Sequence, residues 1–200
     1  MDDCDVDLVF AVSGTRVAAD HAYALSRAVA AHLPCIAEEP CFGIHPLRGA
    51  PTEDGVLLLP KRAKLVLRLA RRRVAHALAL AGRTLDVGGH RLAVGLAVVR
   101  ELAPWSALYA RFVAEDSDDE IDFLARVRRE LAGLAAHCTP ICGLQRSLRA
   151  ADEEIVGFSL MLHELGASDS LRLQRAGLGR ARGLGCGLFV PHRLPAAVAS

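Results

Sequence analysis

Residues 168–190 read SDSLRLQRAGLGRARGLGCGLFV. A helix-like run, Ser168 to Ala176, passes into eleven residues holding five glycines interleaved with Arg180 and Arg182, and then into a strand-like run, Leu188 to Val190. Glycine reaches positive φ and lets main-chain N–H groups approach a ligand closely, so the spacing predicts a basic, backbone-exposing loop that can cradle phosphates. The order of elements narrows the ligand. A dinucleotide loop runs strand, glycines, helix as G-x-G-x-x-G, and a triphosphate loop ends in G-K-[ST]. Here the order is helix, glycines, strand and neither spacing is present, which favours a polyanion lying along a surface, such as RNA.

Upstream of that stretch, Leu108 to Val113 reads as a strand and Asp119 to Ala136 as a helix. Leu144 to Arg149 reads as one arm of a hairpin with Ile155 to Leu165. In the long helix Ile121, Leu124, Val127, Leu131 and Leu134 form the expected buried stripe, with Arg126 and Arg129 toward solvent. The first half repeats this order. An alternating strand, Val6 to Val12, leads to a helix with Asp20 as candidate N-cap and Ala22, Leu25, Val29 and Leu33 at helical spacing, with Pro34 closing it or lying just past it. Strands follow at Phe42 to His45, Val56 to Leu59 and Lys64 to Leu69, then a helix from about Arg72 to Ala81 ending at Gly82. A turn at Gly88-Gly89 leads to a strand, Arg91 to Val99. Each half thus reads βαββαβ. The fold class is α+β, a tandem of ferredoxin-like domains with a glycine-rich loop near the carboxyl end. Pro104 and Trp105 mark the junction, giving domains at 1–103 and 104–200.

With 52% hydrophobic residues in 200, the chain can bury one sizeable core or two compact ones. The opening MDDCDVD is acidic where a secretion signal would be basic and then apolar, and no run of 18 apolar residues occurs, so no membrane association is expected and the cytoplasm is the expected compartment. Cys4, Cys35, Cys41, Cys138, Cys142 and Cys186 then read as reduced thiols. Net charge is only +1. The charge is segregated, however. Lys61, Arg62, Lys64, Arg68, Arg71, Arg72, Arg73 and Arg83 stand in a stretch without a carboxylate, as do Arg172, Arg175, Arg180, Arg182 and Arg193, while acids gather at Asp2 to Asp7 and Glu115 to Asp122. Such a chain can present a positive face despite a balanced total. Aromatics are 4% of the chain, which disfavours serial base stacking and favours readout of backbone and shape.

The segment SDSLRLQRAGLGRARGLGCGLFVPHR, preceded by GFSLMLHEL, resembles the carboxy-terminal signature of the CRISPR-associated repeat-RNA endoribonucleases, family six of the RAMP proteins. ADHAYALSRAV and EEPCFGIHPLRG are similar to amino-terminal blocks of one subtype of that family. The resemblance implies two ferredoxin-like folds that grip a CRISPR repeat transcript, often as a hairpin. It implies cutting without metal or cofactor, leaving a 5′-hydroxyl and a 2′,3′-cyclic phosphate, and partnership with other subunits of an interference complex. In several members the catalytic histidine lies in or just before the first helix, and that position is His21. An imidazole titrates near neutrality, as a group taking the 2′-hydroxyl proton must. His45, in GIHPLRG, is the weaker alternative. Where some members carry tyrosine, one helical turn before the histidine, this chain has Ala18. Tyr23 faces another direction, and the assisting residue is left open among Ser147, Arg146 and the loop arginines. Arg175, Arg180 and Arg182 are the expected phosphate contacts, with Gly177, Gly179, Gly183 and Gly185 shaping the loop and Arg126 and Arg129 as further RNA contacts.

Other chemistries fit less well. His137, Cys138 and Cys142, with Cys35 or Cys41, match no paired zinc spacing and read as packed thiols, so no metal is expected. The acids from Asp116 to Asp122 complement a helix start. Two competing functions are a non-catalytic RNA-binding RAMP subunit of an effector complex, and a ferredoxin-like module for a small molecule or protein partner.

Overall fold

The computed structural model describes residues 5–115 and 117–193, so Cys4 and the acids at 2, 3 and 116 lie outside the described residues. The chain divides into two compact units. One comprises Met1–Leu102, Leu148–Ile155 and Ala181–Gly185, the other Ala103–Ser147, Val156–Arg180 and Cys186–Ser200.

In the first unit the elements are β1 (Asp5–Ser13), β2 (Arg16–Ala18), α1 (Ala22–Ala30), α2 (Pro34–Ala37), β3 (Gly43–Ile44), β4 (Ala50–Pro51), β5 (Val56–Leu58), β6 (Lys64–Ala70), α3 (Val74–Ala77), β7 (Thr84–Val87) and β8 (His90–Glu101). The main sheet has the order β3-β6-β1-β8-β7. With β7 set aside, β8-β1-β6-β3 places fourth, first, third and second strands side by side, the ferredoxin-like arrangement. β1 is antiparallel to both neighbours, pairing Leu8 with Leu67 and with Val99. Alternation along β1 sends Val6, Leu8, Phe10 and Val12 into the core with Leu25, Val29 and Leu33 of the α1 region. Each such side chain withdrawn from water contributes about 1.5–3 kcal/mol before entropy is counted. A small sheet, β2-β5-β4, completes this unit.

Strand β9 (Ala107–Ala114), helix α4 (Glu120–Gly133), the long strands β10 (Thr139–Ala150) and β11 (Glu153–His163), helix α5 (Ala167–Ala176) and β12 (Val190–Pro191) follow. The tip of the β10–β11 hairpin, Leu148–Ile155, counts with the first unit. The second sheet runs β10-β11-β9-β12, again the ferredoxin-like order. Phe123, Val127 and Leu131 of α4 pack with Phe158, Leu160 and Leu173 in its core.

Pro34 lies just past α1, one of the two places expected for it, and starts α2 at its first position, where its missing N–H costs nothing. Two expectations need correction. The expected helix from Arg72 to Ala81 is a 3₁₀ turn (Arg71–Arg73), α3 and a second 3₁₀ turn (Leu78–Leu80), and a strand, β7, follows it unforeseen. Ile121 is 80% exposed, and Phe123 takes its place in the stripe. At 100° per residue Ile121 lies about 120° around the helix from Val127, too far to share its face. Asp119, by contrast, caps α4 by accepting from the Asp122 N–H at 2.8 Å.

Candidate functional site

His21, not Asp20, occupies the N-cap position of α1, and it makes no side-chain cap bond. Asp20 instead stands 3.4 Å from the Arg149 N–H, a long contact. The His21 ring is 5% exposed. Its Nδ1 lies 2.9 Å from the Ala18 carbonyl and 3.2 Å from that of Ala19, while Nε2 accepts from the Leu47 N–H at 3.1 Å. The tautomer that satisfies all three contacts carries its proton on Nδ1, because an Nε2–H would meet the Leu47 donor head on. The ring therefore ties the start of α1 to residues 45–49, with its lone pair already engaged by an amide. Tyr23, one step into α1, is half-buried.

Residues 45–47 are held from the other side as well. His45 Nε2 lies 3.6 Å from Asp7 Oδ1, too long for a hydrogen bond. Asp7 accepts from Arg68 Nε at 2.8 Å and Nη2 at 3.2 Å, and from Arg100 Nη2 at 2.8 Å. The β register makes this cluster, since Asp7 is paired with Arg68 on one neighbour and Arg100 on the other. Arg68 is fully buried, and one carboxylate answers two guanidinium groups and an imidazole. Burial pushes the Asp7 carboxyl up, but His45 and Arg68 more than reverse this and hold it far below the usual carboxylate range. Burial likewise moves the His45 imidazole below its ordinary value, which the Asp7 carboxylate offsets only in part. His45 thus stands as a neutral packed ring. Sequence reasoning passed over Asp7, which lies on the face of β1 opposite Val6 and Leu8 and is buried there beside Arg68.

The glycine segment is a packing device as much as a loop. Residues 181–185 belong to the first unit and pack against α1 and β3, in the unit that holds His21. Arg182 is 8% exposed and donates from Nη2 to the Cys41 carbonyl at 3.1 Å. Gly185, at φ +89°, would set a Cβ 2.8 Å from the Pro46 ring and 3.0 Å from the Ile44 carbonyl. Gly183 lies beside Ser26 of α1. Within the second unit, the amides of Gly177, Arg180 and Gly187 donate to Leu173, Ala114 and Phe112 carbonyls, and that of Gly179 donates to Glu130 Oε2 at 2.9 Å. Gly187, at φ +64°, would drive a Cβ into the Leu178 carbonyl. The amides of Gly177, Gly179, Gly185 and Gly187 are thus already bonded rather than open, and the missing Cβ atoms of Gly179, Gly185 and Gly187 serve close backbone approach.

Of the remaining candidates, Arg175 is exposed and Arg180 half-buried. Arg126 pairs with Asp122 at 2.9 Å, one turn away on α4, and Arg129 is exposed. Arg146 and Ser147 lie on β10, half-buried and exposed. Cys138 and Cys142 pack against the second core, where burial pushes each thiol up to about 11, and Cys186 is pushed to about 12. His137 is exposed nearby in sequence, its N–H donating to Asp169 Oδ2 at 3.1 Å.

A family model described as Cas6 Crispr matches residues 6–194. The chain belongs to the Cas6 family. It is 39% identical over 196 residues to the CRISPR-associated endonuclease Cas6 of Myxococcus xanthus (strain DK1622), covering 98% of this chain and 85% of that relative. Among solved structures, a CRISPR associated protein Cas6 superposes with a TM-score of 0.66 at 12% identity, covering 94% of this chain and all of the other. An RAMP protein binding different RNA substrates gives 0.61 at 15% identity over 92% of this chain and 98% of the other. Both likenesses carry the Cas6 and RAMP fold, the tandem ferredoxin-like order already seen in the two sheets. No helix among the described residues is long and apolar enough to cross a membrane.

Proposed function

We propose that this Cas6 chain is an endoribonuclease that cuts CRISPR repeat RNA to mature guide RNA. The observation that carries this reading is its 39% identity, over nearly its whole length, to a relative named as an endonuclease. The substrate is the repeat, folded as a hairpin, and the product stays available to other subunits of an interference complex in the cytoplasm.

The reaction follows from what RNA itself offers. The 2′-oxygen attacks the adjacent phosphorus, the P–O2′ bond forms and the P–O5′ bond breaks, leaving a 2′,3′-cyclic phosphate and a 5′-hydroxyl. No metal ion takes part. His21 Nε2 takes the 2′-hydroxyl proton, and the leaving 5′-oxygen takes one from water. For this the Leu47 N–H must exchange its imidazole acceptor for an oxygen of the scissile phosphate. The exchange places a 2′-hydroxyl where the amide stood and turns that amide toward the charge that builds on the phosphorane. Leaving the amide bare would cost about 1–3 kcal/mol, so the two steps belong together. Arg175 and Arg180 contact phosphates, and Arg126 and Arg129 of α4 meet the RNA backbone. Arg182, with Gly177, Gly179, Gly183 and Gly185, sets the shape of the segment.

One observation favours a second reading. The His21 ring is buried with both nitrogens bonded to backbone, which is how an anchoring histidine is held. On that reading the chain grips repeat RNA without cutting it. Parallel cleavage and binding assays with His21→Ala and His21→Asn separate the two. Catalysis by His21 predicts that both variants cut about 10²–10⁴ times more slowly with Kd within threefold of the parent. Unchanged cleavage removes His21 from the reaction, and binding without scission by the parent establishes the second reading.

A further inference from the structure

The eight cations between Gly55 and Leu85 sort into two sets. Arg68 is bonded to Asp7, Arg71 pairs with Glu101, and Arg72 and Arg73 pair with Glu39 at 3.9 and 2.5 Å. These answer acids within the fold. Lys61, Arg62, Lys64 and Arg83 are all exposed, and no ion pair or side-chain hydrogen bond involves them among the described residues.

The register gathers these four at one end of the main sheet. Lys64 opens β6 opposite Ala11 of β1, and the turn carrying Lys61 and Arg62 is closed by the Ala63 N–H on the Pro60 carbonyl at 2.9 Å. Ala63 in turn accepts from the Val12 N–H at 3.1 Å. Val12 is paired with Val94 of β8, and the Val94 N–H donates to the Arg83 carbonyl at 2.8 Å. One row of backbone contacts, Ala63 to Val12 to Val94 to Arg83, therefore spans the sheet between the two basic ends. Three strand spacings of about 4.8 Å make the row about 14 Å wide. A stacked nucleic-acid strand places a phosphate about every 3.4 Å, so about four phosphates fit along it. The acid nearest in sequence, Asp86, accepts from the Gly89 N–H at 2.7 Å, in the turn that ends the β7–β8 hairpin.

We infer that Lys61, Arg62, Lys64 and Arg83 form a phosphate-binding row for single-stranded RNA at this end of the first sheet. The inference rests on the chain being an RNA-handling protein as proposed above, and it concerns a strand that is not itself cut. Unpaired cations arranged along a sheet end, without aromatic side chains among them, suit contact with backbone rather than reading of bases.

The test is binding of a uridine-only RNA 12-mer across a salt series by the full chain, the K61A/R62A and K64A/R83A double variants, and the quadruple variant. Each lost phosphate contact flattens the plot of log affinity against log salt by about 0.7 for a single strand. The quadruple variant should therefore lose a slope of up to about 3 and weaken binding at least about tenfold near 0.1 M salt, with each double variant giving about half the slope change. Affinity and slope equal to the parent's in all three variants would overturn the inference and leave the row to an acidic protein surface. Cleavage of repeat RNA is read separately. A parent that fails to cut while the slopes fall as stated would refute the nuclease and keep the row.

Discussion

Asp7 is the side chain on which most of the polar interior of the first unit depends. It lies 3% exposed against the buried Arg68 and the more open Arg100. Removing its charge takes from the buried Arg68 the carboxylate that its Nε and Nη2 both reach, and breaking such a buried pair typically costs about 3–5 kcal/mol. Asp7→Asn should lower the free energy of unfolding in urea by that amount, and a loss under about 1 kcal/mol would show the cluster to be solvated. The acid profile follows from two depressed groups. Burial lowers the His45 pKa below its unfolded value near 6.5, so its contribution is full above that pH and is lost as pH falls below it. Asp7 stays ionised far below its unfolded value near 3.9, so its contribution persists through that range and is lost only in stronger acid. Urea unfolding at pH 7 and pH 5 should accordingly show a decline that His45→Gln removes; an equal decline in both proteins would assign it elsewhere.

Among the elements, the glycine segment carries the clearest contrast. Gly187 sits at positive φ against the Leu178 carbonyl, whereas Gly55, also at positive φ, has open space around it. Gly55→Ala should cost about 1 kcal/mol from backbone conformation alone. Gly187→Ala should cost several kcal/mol more, measured by thermal or urea unfolding, since backbone cannot move aside as a flexible side chain can. Similar losses at the two positions would mean the segment is a loop first and a packing element second. This difference also marks how far the sequence could be read. β1, β6, β9, α4 and α5 follow from periodicity, because each buries one face of a regular element. The short β7 carried too few residues to signal itself. The Gly187 and Gly179 amides bond to Phe112 and Glu130, and that of Arg180 to Ala114, partners that no local pattern announces. The same holds for His21, whose type and place pointed to proton transfer while its acceptor role toward Leu47, 26 residues away, is set only by tertiary structure.

The whole molecule repeats one strand order in two sheets, while the glycine-rich carboxy-terminal signature and two amino-terminal blocks made the family recognisable from the residues. What separates a nuclease from a binding subunit is the sugar of the scissile nucleotide, because attack by a neighbouring 2′-oxygen needs that hydroxyl and nothing else from solution. The direct measurement uses two repeat RNAs in the presence of a chelator, one all-ribose and one with a single 2′-deoxy sugar at the cut site, with the product ends determined. The all-ribose strand should be cut to a cyclic phosphate and a 5′-hydroxyl, and the deoxy strand should be bound equally well and left intact. Cutting of the deoxy strand, or cutting that begins only when a divalent ion is added, would contradict the account.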